Sequence, residues 1–475
     1  MLNISEYKDA ERVFYYFEEI SKIPHGSKNT APIAEYLVNF AKEHNLEYRR
    51  DDADNVIIKK SATEGLETRP TVIIQGHTDM VAVKLPELDM DMTKEGLTLY
   101  RDGDLLRAKG TTLGGDDGIA VAYALALLDS TDIPHPALEC LFTSDEEIGL
   151  IGATALDASD INGRIMINID SDEEGIFTAG CAGGVRTDTE YNVTRAPFSA
   201  KKYAIKVGGL LGGHSGIEIG KNRGNAIKVL AELLYTVNDI RIAAFEGGCA
   251  DNAIPREAYA SFYSDSDFSD SMQKKFEEIK EELGNRDPDL YYEVEEADFD
   301  ILPLDKESTD KLLSIITKTI SGPTAMTAYD QNLVETSENL GIAKLEESTM
   351  RHTVSVRSAK GEEKKKLLDN LILLAEEHGA TLTTRGDYPA WEYREKSMLR
   401  DTATRVWKDM FSENAEVVVI HAGLECGILA DKLEGLDCIS LGPNNHDIHT
   451  TEERLSISSS AKVWEFLKRL LIELK

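Results

Sequence analysis

Residues 71–81, TVIIQGHTDMV, read as a buried strand that hands polar residues to its own end. Thr71, Val72, Ile73 and Ile74 are apolar or β-branched, the composition of a strand covered on both faces. Gly76 stops the run, and His77 and Asp79 leave its carboxyl end at once. In an open α/β sheet that edge is where sites are built. A histidine followed two residues later by an aspartate suits a metal ligand and its orienter, because ligating imidazoles usually need a carboxylate behind them. Ordinary turn chemistry is the plainer reading of the same triplet, and the stretch alone does not decide between them.

The flanking sequence repeats the pattern. Helical spacing over 6–20 and 30–43 precedes strands at 56–59 and 71–75. After the loop GTTLGG, Asp116 and Asp117 open an alanine-rich helix, GIAVAYALALLDS. A strand at 138–143 releases Asp145, Glu146 and Glu147, and one at 165–169 releases Asp170. Strand, polar loop and helix alternate throughout, which predicts an α/β fold with a mostly parallel sheet flanked by helices. After Gly180 the style changes. Strands at 203–207 and 258–263 alternate with helices at 225–237 and 271–283, and a similar order follows at 290–294, 311–320, 352–357 and 362–378. From about Tyr388 the first style returns, with a helix at 398–411, strands at 417–420 and 437–441, the loop NNHDIHTTEE, and a helix at 463–474. The expectation is a discontinuous catalytic domain, 1–182 and 388–475, interrupted by an α+β lid over 183–387 built as two halves.

Bulk properties bound the function. A chain of 475 residues exceeds one comfortable core, so two domains are expected. The net charge of −33 argues against nucleic acid, whose phosphates it would repel. No apolar run approaches the length of a membrane span, and the start MLNISEYKDAERV lacks the apolar core of a secretory signal. Five scattered cysteines, an odd number, do not suggest a disulfide framework. The expected location is the cytoplasm.

Seven polar residues fall at strand ends or helix starts: His77, Asp79, Asp116, Glu146, Glu147, Asp170 and His449. Each has a bland alternative. Asp116 reads equally as an N-cap, the two acidic runs as solvated turns, and His449 as a loop residue. A doubly wound sheet, however, brings its strand ends to a common rim. Two histidines and several carboxylates, one able to bridge, form an N/O donor set suited to zinc, with manganese and cobalt as alternatives. Paired ions about 3.5–4 Å apart are used by aminopeptidases and phosphatases. Adjacent Glu146 and Glu147 would let one carboxylate ligate while the other serves as a base.

GHTDMV, GGDDGIAVA, TSDEEIGLIGA, NIDSDEEG, GGHSGIEI, HAGLECGIL and HTTEE, in this order along nearly the whole chain, resemble the aminoacyl-histidine dipeptidases. These are a branch of the two-zinc exopeptidase family that also contains carnosinases, aminoacylases and tripeptidases. The resemblance implies a zinc-exopeptidase-like fold and hydrolysis of dipeptides by water activated on two divalent ions. It makes His77 and Asp170 ligands of one ion, Glu147 and His449 ligands of the other, and Asp116 the bridge. Glu146 becomes the general base and Asp79 the partner of His77. In the lid, His214 would polarise the scissile carbonyl, while Asn252 and Arg357 would hold the substrate's carboxylate end. Asp116 is preferred to Asp117 as the first acid of its motif, and His449 to His446 because HTTEE follows it. Glu425 reads as a buried structural acid, with a substrate role as the alternative. His25, His44, His135, His352 and His378 read as surface or packing residues.

Cleavage of tripeptides or N-acyl amino acids on the same scaffold stays open at this level. A metal-free binding protein would have broken ligands, and every expected one is present. The partners implied are a small peptide and, by analogy with relatives, a second copy of the chain.

Overall fold

The computed structural model describes residues 4, 6–327 and 332–475. The chain divides into two compact units: Met1–Cys181 with Tyr393–Val419 and Leu424–Lys475, and Ala182–Glu392 with Ile420–Gly423. None of the described helices is long and apolar enough to cross a membrane.

The first unit is organised by an eight-stranded mixed sheet. Its centre is parallel: Val72–His77 lies between Leu138–Thr143 and Ile165–Asn168, and Asp437–Ser440 pairs with the latter. Antiparallel strands complete it: Glu47–Arg50 and Val56–Lys60 on one side, Ile176–Cys181 on the other. All six residues of Val72–His77 are buried, as a central strand covered on both faces requires. On one face Val72, Ile74, Cys140, Phe142 and Ile167 share a core with Phe14, Phe17, Leu37, Tyr123, Trp407 and Trp464 from five helices. On the other, Ile73, Leu141 and Met166 are equally buried. The register aligns the carboxyl ends, His77 opposite Thr143 and Gln75 opposite Asn168.

A smaller four-stranded sheet was not legible in the sequence. Leu105–Ala108 pairs with Leu99–Asp102 and Arg454–Ser456, and the last of these pairs with Asn445–His446. This stitching joins the segment leading to Asp116 to the loop carrying His449.

The second unit is a nine-stranded sheet in which every pairing is antiparallel. The helices Ala226–Tyr235, Ser269–Leu283, Lys306–Lys318 and Gly361–Glu377 bury Leu230, Phe276, Leu312 and Leu367 in one core with Ile205, Phe262, Leu340 and Val354. The two halves suggested by the order of elements are therefore one layer. Arg241–Gly247 pairs with Val334–Leu345 and closes the seam between them.

Candidate active site

Asp116 lies where the loop after Leu113 turns into the alanine-rich helix. Gly114 takes φ 69°, and Asp116 and Asp117 keep non-helical angles before the regular helix begins. The turn is held by a residue that sequence reasoning quoted only as part of a motif. One carboxylate oxygen of buried Glu453 accepts the N–H groups of Leu113 and Gly114 at 2.7 and 3.0 Å. Its other oxygen accepts those of Gly115 and Asp116 at 2.8 and 3.3 Å. Four successive N–H groups on one carboxylate fix the loop as a block. Asp117 points inward, its Oδ2 accepting the His77 N–H at 3.1 Å.

The Asp116 carboxylate consequently faces two histidines. Its Oδ1 is 3.0 Å from His77 Nε2, and its Oδ2 is 3.1 Å from His449 Nε2. His449 Nε2 is also 2.8 Å from Glu147 Oε1, and His77 Nε2 is 4.0 Å from Asp170 Oδ1. Donor atoms within 4.8 Å of one another form the groups His77–Asp116–Asp170 and Asp116–Glu147–His449, which share Asp116. His77, Glu146 and Glu147 form a third, overlapping group. His449 itself adopts φ 63°, and Asp145, just before Glu146, adopts φ 49°. Left-handed backbone at non-glycine residues is strained, and here it sits in two of the loops that deliver donors.

Asp79 binds more than His77. Its carboxylate lies 3.5 Å from His77 Nδ1, which is closer, at 3.0 Å, to the Asp79 backbone oxygen. It also accepts the Glu146 N–H at 2.9 Å, the Glu147 N–H at 3.4 Å and the Ser27 hydroxyl at 2.8 Å. Ser27, unremarked in the sequence, thus ties the SKIPHGS segment to the glutamate turn. Beneath the rim, Gln75 and Thr143 donate to Glu425 Oε2 at 2.6 and 2.5 Å, while Glu425 Oε1 has no hydrogen-bond partner.

The electrostatics describe a site with surplus negative charge. Burial would lower the His77 pKa, but the Asp116 and Asp79 carboxylates raise it well above the ordinary value. Asp116 and Glu147 push His449 up to about 10. Burial, with Glu425, Glu147 and Asp116 nearby, pushes Glu146 up to about 8, and burial raises Asp170 as well. Carboxylates this crowded call for cations. Imidazole nitrogens with carboxylate oxygens suit zinc, manganese or cobalt, and a carboxylate with one oxygen toward each donor group fits a pair of ions. His446 is exposed and joins no donor group among the described residues. His25, His44, His135, His352 and His378 are likewise outside these groups.

The second unit gathers its own polar set. Gly213–His214 pairs with Ala253–Ile254, and Ser215 N–H donates to Asn252 O at 2.8 Å, which keeps the His214 and Asn252 loops adjacent. His214 Nδ1 accepts the N–H groups of Gly216 and Ile217 at 3.1 and 3.2 Å. The neutral ring therefore carries its proton on Nε2, and burial and Arg357 lower its pKa. Arg357 is buried and donates from Nη1 to Tyr388 Oη at 2.9 Å; its Nε has no partner. Among the described residues no carboxylate lies within ion-pair distance of it. A buried guanidinium without a counter-charge marks a place for an anion.

One carboxylate shared between two donor groups is the arrangement by which two-metal hydrolases let a single residue touch both ions. The chain belongs to peptidase family M20/M25/M40, whose model matches residues 73–473. It is 34% identical over 467 residues to the cytosol non-specific dipeptidase of Escherichia coli, covering 96% of each chain. It superposes on the crystal structure of aminoacylhistidine dipeptidase from Vibrio alginolyticus with a TM-score of 0.91 and 33% identity, over 98% of this chain and 96% of that one. The aminopeptidase PepT of Bacillus cereus shares the fold at a TM-score of 0.57 and 17% identity, over 98% of each chain.

Proposed function

We propose that the protein hydrolyses dipeptides with two divalent ions, zinc foremost, held by His77 and Asp170, by Glu147 and His449, and by Asp116 between them. The observation that carries this is the division of the Asp116 carboxylate between the two histidines, 3.0 and 3.1 Å away. Bound ions there supply Lewis acidity, polarising a carbonyl and making water more acidic. Glu146 takes the proton from the attacking water on a carboxylate oxygen and returns it to the leaving amine. Asp79 supports that step by holding both the His77 ring and the backbone N–H of Glu146. His214 Nε2–H is suited to donate to the oxygen that becomes anionic. Arg357, with Asn252, receives the substrate's carboxylate end. The cytoplasmic location and a homodimer belong to the same reading.

A substrate panel tests it: β-Ala-His, Leu-Gly, a tripeptide and N-acetyl-methionine, each with and without added Zn²⁺, Mn²⁺ or Co²⁺. Metal-dependent turnover confined to the dipeptides is the expected result. Faster turnover of the tripeptide or the acyl amino acid would overturn the substrate class, and turnover indifferent to chelation would overturn the metal centre. Sedimentation of the purified protein checks the homodimer.

A further inference from the structure

Gly184, Arg357 and Tyr388 stand side by side on three adjacent strands. Arg357 is opposite Gly184, and Gly184 is opposite Tyr388 on its other flank. Because the middle residue has no side chain, the outer two meet across it, and Arg357 Nη1 donates to Tyr388 Oη at 2.9 Å. The space is filled by that contact. A Cβ on Gly184 would lie 2.6 Å from Tyr388 Oη and 2.8 Å from Cζ. Gly423 backs the same ring, where a Cβ would come within 2.7 Å of Cε2. The tyrosine's backbone is fastened too, its carbonyl accepting Lys364 Nζ at 2.6 Å.

We infer that Tyr388 is a positioning residue that aims the Arg357 guanidinium at the substrate's free α-carboxylate, and that Gly184 exists to let the two touch. This rests on the role proposed above for Arg357. The chemistry of the partner explains the choice. A phenol oxygen accepts a hydrogen bond and fixes the planar guanidinium, yet it is neutral, so the full positive charge is left for the ligand. A carboxylate in that place would satisfy the arginine permanently. Two imidazole rings that feel Arg357, His214 and His421, are also held toward neutral forms by burial and by the arginine itself. A charge kept uncompensated in this way discriminates a carboxylate from its uncharged amide.

The test compares wild type, R357A, Y388F and G184A on a dipeptide and on its C-terminal amide, with melting temperature and metal content measured for each. Wild type is expected to favour the acid, and R357A to lose that preference. Y388F removes one hydroxyl, and G184A leaves the phenol but crowds it away. Each should cut the acid-to-amide ratio of kcat/KM about tenfold, mainly through KM for the acid, the scale of one hydrogen bond to a charged group. If both keep the wild-type ratio while R357A loses it, Tyr388 does not position the arginine. If R357A itself keeps the ratio, the carboxylate role of Arg357 fails, and this inference with it.

Discussion

Replacing Glu453 by glutamine tests whether the Asp116 loop is built as a unit. In the native protein each carboxylate oxygen serves two N–H groups, Leu113 and Gly114 on one, Gly115 and Asp116 on the other. Glutamine keeps one oxygen and turns an NH₂ toward the remaining pair, so two buried donors lose their acceptor. Each buried unsatisfied donor costs about 1–3 kcal/mol. One of the bonds, from Asp116, is already long at 3.3 Å, which favours the lower half of the range. The expected loss is therefore about 2–4 kcal/mol of stability. Release of the loop also frees Asp116 from its place between the histidines, and loss of such supporting contacts typically weakens metal binding about 10–100-fold. Urea unfolding in the presence of a chelator isolates the first effect, and chelator competition on the folded protein measures the second. E452Q, at the exposed neighbouring position, is the control and should shift stability by no more than about 0.5 kcal/mol. An E453Q protein matching wild type in both measurements would refute the assignment of the loop to Glu453.

Other expectations follow from the same geometry. E146A should load the wild-type amount of metal yet lose about 10²–10⁴-fold in kcat, and retention of near wild-type kcat at full loading would remove Glu146 as the base. H449A should lower bound metal from two ions per chain to one by elemental analysis, with the site at His77 still filled. S27A removes the 2.8 Å bond to Asp79 and should lower kcat/KM with little change in KM; an unchanged kcat would confine Ser27 to packing. Burial holds His352 down at about 4, against an ordinary 6.5, even with Asp188 opposing. Between these values the unfolded chain binds the extra proton, so the stability present above pH 6.5 is lost as pH falls toward 4, by about 1.4 kcal/mol per unit. H352L should flatten that slope in pH-dependent urea midpoints, and an unaltered slope would show that another group sets it.

Much of the scaffold was legible because long periodic segments declare themselves. The strands Leu138–Thr143 and Ala258–Tyr263 and the helix Met398–Phe411 coincide with their sequence readings at both ends. The failures have identifiable causes. Gly76 looked like a strand breaker, yet the ladder continues through Gly76 and His77. The glycine is there because the alanine-rich helix presses on it: a Cβ would lie 2.4 Å from Ala120 Cβ and 2.5 Å from Asp117 Oδ2. Asp116 looked like the start of a helix, but its backbone is non-helical because the loop is pinned from outside by Glu453. The helix expected from 463 begins earlier, at Ile457, with Ser456 capping it by accepting Ser459 N–H, because serines weaken the apolar period of its first turn. Of the candidate site, the sequence singles out residues whose own side chains carry metal-binding or acid–base chemistry. Those that act through another residue, Glu453 on backbone N–H groups and Ser27 on the Asp79 carboxylate, carry no local signature, since their partners lie far away in the chain.

The Asp437–Ser440 strand is seated between Ile165–Asn168 and Ile176–Cys181, among neighbours synthesised much earlier. While a ribosome is still translating the intervening residues, Ile165–Asn168 offers an unprotected row of amides and carbonyls beside an apolar surface. Such an edge is a template for pairing with other chains until its own strand takes the place. The central sheet is complete, and the loop that carries His449 is in place, only once this late segment has been made.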